Sequence, residues 1–220
     1  MLDAEALRIF KESDAIFGFA RNDEQTTLAE FLPRVKVGAG GSNEWTGDIA
    51  NYASINTNVL VLAIERATGV SAAKQIRALL QRVGPQDTVY MLTDFDGLPM
   101  PSGGMVVTAV DFARYGRMLI GDKTRVRADQ EAALTQGQLV PAAMLGVDSR
   151  YYKSAIMNPY GLGHSGWGGQ IIWADPESGV IVAINGQING EAPAPYDYYN
   201  VGYSAIYEVI NYVRAQQADK

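Results

Sequence analysis

Cysteine is absent from this chain of 220 residues, and histidine occurs once. Without thiols there can be no disulfide, no thiolate nucleophile and no cysteine-ligated zinc. A single imidazole also argues against the histidine-rich metal sites. Positive charge is scarce: 18 Lys and Arg stand against 24 Asp and Glu, giving a net charge of −6. No basic stripe of the kind that grips a phosphate backbone is present, so nucleic acid is not an expected partner. Long apolar runs are missing as well. Stretches such as 59–64 fall far short of a membrane span, and no membrane partner is expected. Met1-Leu2-Asp3-Ala4-Glu5 has neither the basic lead nor the apolar centre of a signal peptide, so a cytoplasmic protein is expected.

What remains is ordinary folded material, 47% hydrophobic and 19% charged. Apolar spacing predicts a helix over 3–17, then a polar break at 21–25. A short helix begins at Thr26 or Thr27 and halts near Pro33, ahead of a glycine-rich loop at 38–43. A helix is predicted from Ser54 or Asn56 to Thr68, with Leu60, Ala63, Ile64 and Ala67 as its buried stripe. Ser71 caps the next helix, where Ile76, Leu79, Leu80 and Val83 face inward before Gly84-Pro85 stops it. After a loop at 94–104, Thr108-Ala109-Val110-Asp111 has capping-box spacing and opens another helix, closed by Gly121. A short helix near 129–136 and a tyrosine-rich loop at 151–160 follow. Strands are predicted over 167–174 and 180–185, joined by Asp175-Pro176-Glu177-Ser178-Gly179. A proline-rich loop leads to a last helix over 199–216, with Val209, Ile210 and Val213 apolar. This order predicts an α+β fold, with residues 1–160 a mainly helical lobe and 161–220 a sheet hairpin plus C-terminal helix.

The chain is organised around Gly161-Leu162-Gly163-His164-Ser165-Gly166-Trp167-Gly168-Gly169-Gln170, which holds the sole histidine beside a hydroxyl and runs into apolar Ile171-Ile172-Trp173. Glycines remove side chains where backbone and ligand must approach closely. A strand following them is a rigid mount for backbone donors awaiting an oxyanion, as acyl transfer requires. Gly161-x-Gly163-x-x-Gly166 matches a dinucleotide fingerprint literally. That fingerprint needs a strand before and a helix after, however, whereas here a loop precedes and a strand follows. Asp94-x-Asp96-Gly97 lacks the glutamate a calcium loop would need and reads as a turn. Ser71-Ala72-Ala73-Lys74 spells the Ser-x-x-Lys of penicillin-recognising enzymes, yet a capping serine before a solvated lysine accounts for it.

Several further segments carry a likeness. They are Tyr52-Ala53-Ser54-Ile55-Asn56-Thr57-Asn58 ahead of a helix ending Ala67-Thr68-Gly69, then Ser102-Gly103-Gly104-Met105, then the run 108–116, then His164-Ser165-Gly166-Trp167-Gly168-Gly169. Taken in this order, they resemble the serine β-lactamase-related hydrolases, in the branch of class C β-lactamases, esterases and 6-aminohexanoate-dimer hydrolases. The likeness runs from about 45 to 186. It implies a β-lactamase/transpeptidase-like fold, with an antiparallel sheet, a C-terminal helix and a helical lobe. It also implies cleavage of a small-molecule amide or ester through an acyl-serine, with no cofactor and no metal. Tyr52 corresponds to the tyrosine that works with a lysine to activate the nucleophile and protonate the leaving group. Ser54 stands where many relatives carry asparagine. His164-Ser165-Gly166 replaces the Lys-Thr-Gly of β-lactamases, and Trp167 would lend its backbone N–H to the oxyanion hole. The implied catalytic residues are therefore Tyr52, His164 and Trp167, with Ser54, Ser165 and Gly166 binding substrate.

One departure governs the expectation. Relatives place Ser-x-x-Lys roughly a hundred residues before the tyrosine motif, and no such motif stands among the 51 residues before Tyr52. The resemblance therefore implies a truncated or split chain in which the N-terminal strands and nucleophile helix are missing. A homo-oligomer, or association with a missing N-terminal part, is expected to cover the exposed sheet. A catalytically silent binding module that keeps the cleft is the alternative.

Overall fold

The computed structural model describes residues 12, 15–16, 24–35, 54–166, 168–186 and 195–219. Outside the described residues lie most of the helix expected over 3–17, the start of the polar break, the loop at 38–43, the proline-rich loop before the last helix, Tyr52 and Trp167. The chain forms two compact units, one of Met1–Trp45 with Tyr52–Val107, the other of Thr46–Asn51 with Thr108–Lys220.

In the first unit, α1 (Leu28–Phe31) runs into a 3-10 turn, Leu32–Arg34, that contains Pro33. Thr27 and Glu30 cap it reciprocally: Glu30 N–H donates to the Thr27 hydroxyl, and Thr27 N–H donates to the Glu30 carboxylate at 3.0 Å. Next come α2 (Ser54–Thr68) and α3 (Ala72–Val83), then a two-stranded antiparallel ribbon, β1 (Tyr90–Met91) and β2 (Met105–Val106). Ile16, Leu28, Phe31, Leu62, Ala72, Leu98 and Met100 form the core. The stripe expected on α2 is not the buried one. Leu60 and Ile64 are exposed, while Asn58 and Leu62 face inward. The run Asn58-Val59-Leu60-Val61-Leu62-Ala63-Ile64 is apolar nearly all round, so its spacing selects no face. On α3, Val83 is buried as expected but Leu79 is exposed. The Asp94 turn is braced by its own carboxylate, which accepts from the N–H groups of Leu28, Asp96 and Leu98 at 3.0, 3.1 and 2.9 Å.

The second unit opens with α4 (Ala109–Leu119), capped by Thr108, and α5 (Lys123–Gln136), capped by Asp122. Strand β3 (Gln138–Val140) and a short α6 (Ala142–Leu145) lead to β4 (Ser149–Tyr152), β5 (Ala155–Asn158), β6 (Gly161–Ser165), β7 (Ile171–Ala174) and β8 (Ile181–Ile184). These six strands form an antiparallel meander in chain order. The 24-residue α7 (Pro195–Ala218) closes the unit. Both sheet faces are covered. Ile171 and Trp173 of β7 pack with Tyr203, Ile206, Tyr207 and Ile210 of α7, while Ala174 joins Leu162, Met157, Val126 and Ala133 on the other side. Gly116 lets α4 approach closely, because a Cβ there would sit 2.8 Å from Ile181 and 3.0 Å from Ile172.

One expectation is corrected here. The tyrosine-rich stretch at 151–160, expected as a loop, holds most of the β4–β5 hairpin; Gly161–Ser165 is a strand of its own, ahead of the strand predicted over 167–174, which begins at Ile171. Strands of four or five residues mixing Ser, Arg, Tyr, Met and Gly carry little alternation, and tertiary pairing decides them.

Candidate active site

The site-bearing strand β6 is shaped by its glycines. A Cβ on Gly163 would strike the Ile172 carbonyl and come within 2.7 Å of the Trp173 ring. Gly161, at φ 128°, would meet the Ala174 backbone. Only glycine permits this close pairing with β7, which sets His164 opposite Ile172 and Ser165 opposite Ile171. Past Ser165 the chain reverses. Gly166 N–H donates to Gln170 O at 2.8 Å, and Gly169 N–H donates to Gly166 O at 3.1 Å. Gly168 N–H donates to the Gln170 side-chain oxygen at 3.0 Å, and Gln170 Nε2 donates to Gly186 O at 3.1 Å. The amides of Gly166, Gly168 and Gly169 are thus held within the turn.

His164 is half-buried, its ring edge-on to Tyr151 with centroids 5.9 Å apart. Its Nδ1 lies 2.8 Å from Ser165 O. A carbonyl can only accept, so the neutral ring carries its proton on Nδ1 and its lone pair on Nε2. Burial pushes the imidazole below its ordinary range, opposed in part by that hydrogen bond. At neutral pH the ring is therefore uncharged.

Beneath the turn lies α7. Tyr199 donates to Gly166 O at 2.5 Å and Tyr198 donates to Gly169 O at 3.1 Å. Tyr203, fully buried, approaches the Ser165 side chain without completing a hydrogen bond, and burial raises its phenol above the usual range against that contact. Sequence reasoning had named Val209, Ile210 and Val213 on this helix and missed the tyrosines. The cluster Tyr196-Asp197-Tyr198-Tyr199 was the available signal.

In the first unit, Ser54 opens α2 and is half-buried. One turn on, the fully buried Asn58 accepts from Ser102 N–H at 3.4 Å, while Asn58 Nδ2 and Ser102 Oγ are both buried and find no hydrogen-bond partner among the described residues. Asn58 thus ties the Tyr-Ala-Ser helix to the Ser-Gly-Gly loop across 44 residues. Ser71 accepts from Lys74 N–H at 3.4 Å, and both residues are exposed, as a cap should be. Of the six sequence-predicted site residues, the structure brings His164, Ser165 and Gly166 together. Ser54 belongs to the other unit, and Tyr52 and Trp167 lie outside the described residues.

A family model described as Beta-lactamase matches residues 35–205. The chain belongs to the Beta-lactamase family. Among curated relatives, the 6-aminohexanoate-dimer hydrolase of Paenarthrobacter ureafaciens is 25% identical over 177 residues, covering 74% of this chain and 44% of the relative. A solved structure from Bacillus anthracis, provisionally assigned as a 6-aminohexanoate-dimer hydrolase, aligns over 97% of this chain and 56% of its own, with a TM-score of 0.68 and 18% identity. That neighbour carries the fold, a β-lactamase-like α+β arrangement of helices and antiparallel sheet. The chain spans about half the length of both relatives. Among the described residues, no helix is long and apolar enough to cross a membrane.

Proposed function

We propose that this chain is part of a serine hydrolase that cleaves an amide or ester through an acyl-serine intermediate. The supporting observation is the anchored end of β6, where His164, Ser165 and Gly166 lead into a turn in which the amides of Gly166, Gly168 and Gly169 are paired. The family resemblance assigns the N–H of Trp167 to the developing oxyanion. In the proposed reaction a serine Oγ adds to the substrate carbonyl carbon and the displaced electron pair settles on the carbonyl oxygen. Tyr52 relays the serine proton to the departing amine or alcohol, and water then releases the acid. The family resemblance assigns substrate binding to Ser54, Ser165 and Gly166. A neutral His164 suits an uncharged hydrogen-bonding group, whereas the lysine of β-lactamases would attract a carboxylate. The names of both relatives make the 6-aminohexanoate dimer the first substrate to try.

The reading takes the nucleophile from a Ser-x-x-Lys segment other than Ser71–Lys74, in a truncated or split arrangement. The test is a burst assay with an activated ester, together with a serine-directed phosphonate label. The 220-residue chain should show neither burst nor label, with Ser71→Ala changing nothing. Label should appear once a Ser-x-x-Lys segment from a matched relative is added. Label mapping to Ser71 would overturn the split arrangement. Binding of the dimer without label or turnover, even with the segment present, would favour a silent binding module.

A further inference from the structure

Three observations converge on the reversal between β6 and β7. First, the turn contains Gly166, Gly168 and Gly169, the last at φ 90°, so its backbone has wide conformational freedom to be restrained. Second, two phenols from consecutive positions of α7 reach two of its carbonyls, Tyr199 at Gly166 O and Tyr198 at Gly169 O. Third, the surroundings are cut to let them in. A Cβ on Gly186 would lie 2.5 Å from both Gly169 O and the Tyr198 hydroxyl, and one on Gly202 would lie 3.0 Å from Ile171. A helix that merely covered the sheet would need apolar side chains here, not donors aimed at carbonyls.

We propose that Tyr199, seconded by Tyr198, is a positioning residue whose hydroxyl clamps the Gly166 carbonyl and thereby fixes the end of the His164-Ser165-Gly166 segment. The catalytic part rests on the acyl-transfer reading above; the clamp itself does not. A substrate-binding segment held in place before the reaction needs no reordering during it, whereas one that ends on a loose glycine turn must first be ordered. Gly166 O accepts from both Tyr199 and Gly169 N–H, so one phenol braces the carbonyl and the turn bond together.

Tyr199→Phe keeps the ring and removes only the donor. In the full chain, amide exchange at Gly168 and Gly169 should quicken on the order of 3- to 10-fold, the loss of about one hydrogen bond, with Leu80 on α3 unchanged as an internal control. Tyr198→Phe should give a smaller effect centred on Gly169. In the assembly containing the added Ser-x-x-Lys segment, Tyr199→Phe should lower kcat on the order of 10-fold or more with KM unchanged. Unchanged local exchange would overturn the clamp, whatever the activity. Faster exchange with unchanged kcat would overturn the positioning role. If the wild-type assembly never turns over, the hydrolase reading falls, and the exchange result still decides the clamp.

Discussion

Asp175 is the most consequential buried charge in the second unit, and removing its partner gives a sharp test of how the sheet is fastened to α7. The carboxylate is fully buried at the β7–β8 turn, where it accepts from the N–H groups of Glu177 and Ser178 at 3.0 and 3.1 Å and from the Ser178 hydroxyl. Arg214 of α7 grips it with two atoms, Nε at 2.9 Å and Nη2 at 2.8 Å, and also donates to Pro159 O. Breaking a buried pair costs about 3–5 kcal/mol. The Arg214 side chain is 26% exposed, so solvent screening puts the cost of Arg214→Ala nearer 2–3 kcal/mol. For a chain of this length that is a fall in Tm of about 5–10 °C. Burial alone would raise the Asp175 carboxyl, but Arg214, Ser178 and the two N–H groups outweigh it and hold it below the ordinary carboxylate range. A lowered folded value gives stability that is complete above the unfolded carboxyl's pKa, about 3.9, and lost as pH falls through the folded one. Melting curves followed by far-UV circular dichroism should therefore show a gap between wild type and Arg214→Ala that is widest at pH 7 and narrows into acid. A gap that stayed constant from pH 7 to 3 would refute the charge-pair account and point to lost packing by the arginine stem. Glu177 also meets Arg214, at 3.3 Å, but is 64% exposed, so Glu177→Ala should cost less than about 1 kcal/mol.

Other outcomes follow from the same geometry. Gly163→Ala should destabilise by about 1–3 kcal/mol, because its Cβ meets the Ile172 carbonyl, which cannot move without breaking the ladder; a melt unchanged from wild type would contradict the close pairing of β6 and β7. The sole histidine gives a single imidazole titration by NMR, and His164 should titrate below the ordinary imidazole range because burial disfavours its charged form; a normal or raised value would contradict the half-buried ring. Sedimentation at micromolar concentration should show a species larger than a monomer, since β8 pairs on one side only among the described residues and carries apolar Ile181–Ile184. A compact monomer would count against association.

The parts of this fold that could be read in the sequence are those whose cause is local. The pair Thr26-Thr27 and Thr108 announced their helices because a capping hydroxyl works within three residues, and in the structure Thr27 and Thr108 are the caps. The β7–β8 hairpin was legible because Ile171–Ala174 is continuously apolar and Asp175-Pro176-Glu177-Ser178-Gly179 concentrates turn-forming residues. The glycines around His164 were legible as positions of close approach, but not which strand approaches them: the Ile172 carbonyl and Ala174 backbone that they admit lie on β7. The hidden parts depend on distant partners. Nothing near Asn58 in the chain signals that a polar residue on an apolar helix will be wholly buried, because its partner is Ser102. Tyr203 and Tyr207 form the inner face of α7 only because Trp173 offers its ring edge-on to both, at 5.4 and 6.0 Å. Their spacing is helical, but aliphatic Val209 and Val213 compete for the same stripe on any hydrophobicity scale, and Val209 proves exposed. The strongest case is Tyr199. Its hydroxyl finds an acceptor 33 residues upstream, at a carbonyl whose direction is set by a turn that the pairing of β6 with β7 must first create. A phenol's role as donor therefore arises last, after helix, sheet and turn are all in place, and no window along the sequence contains it.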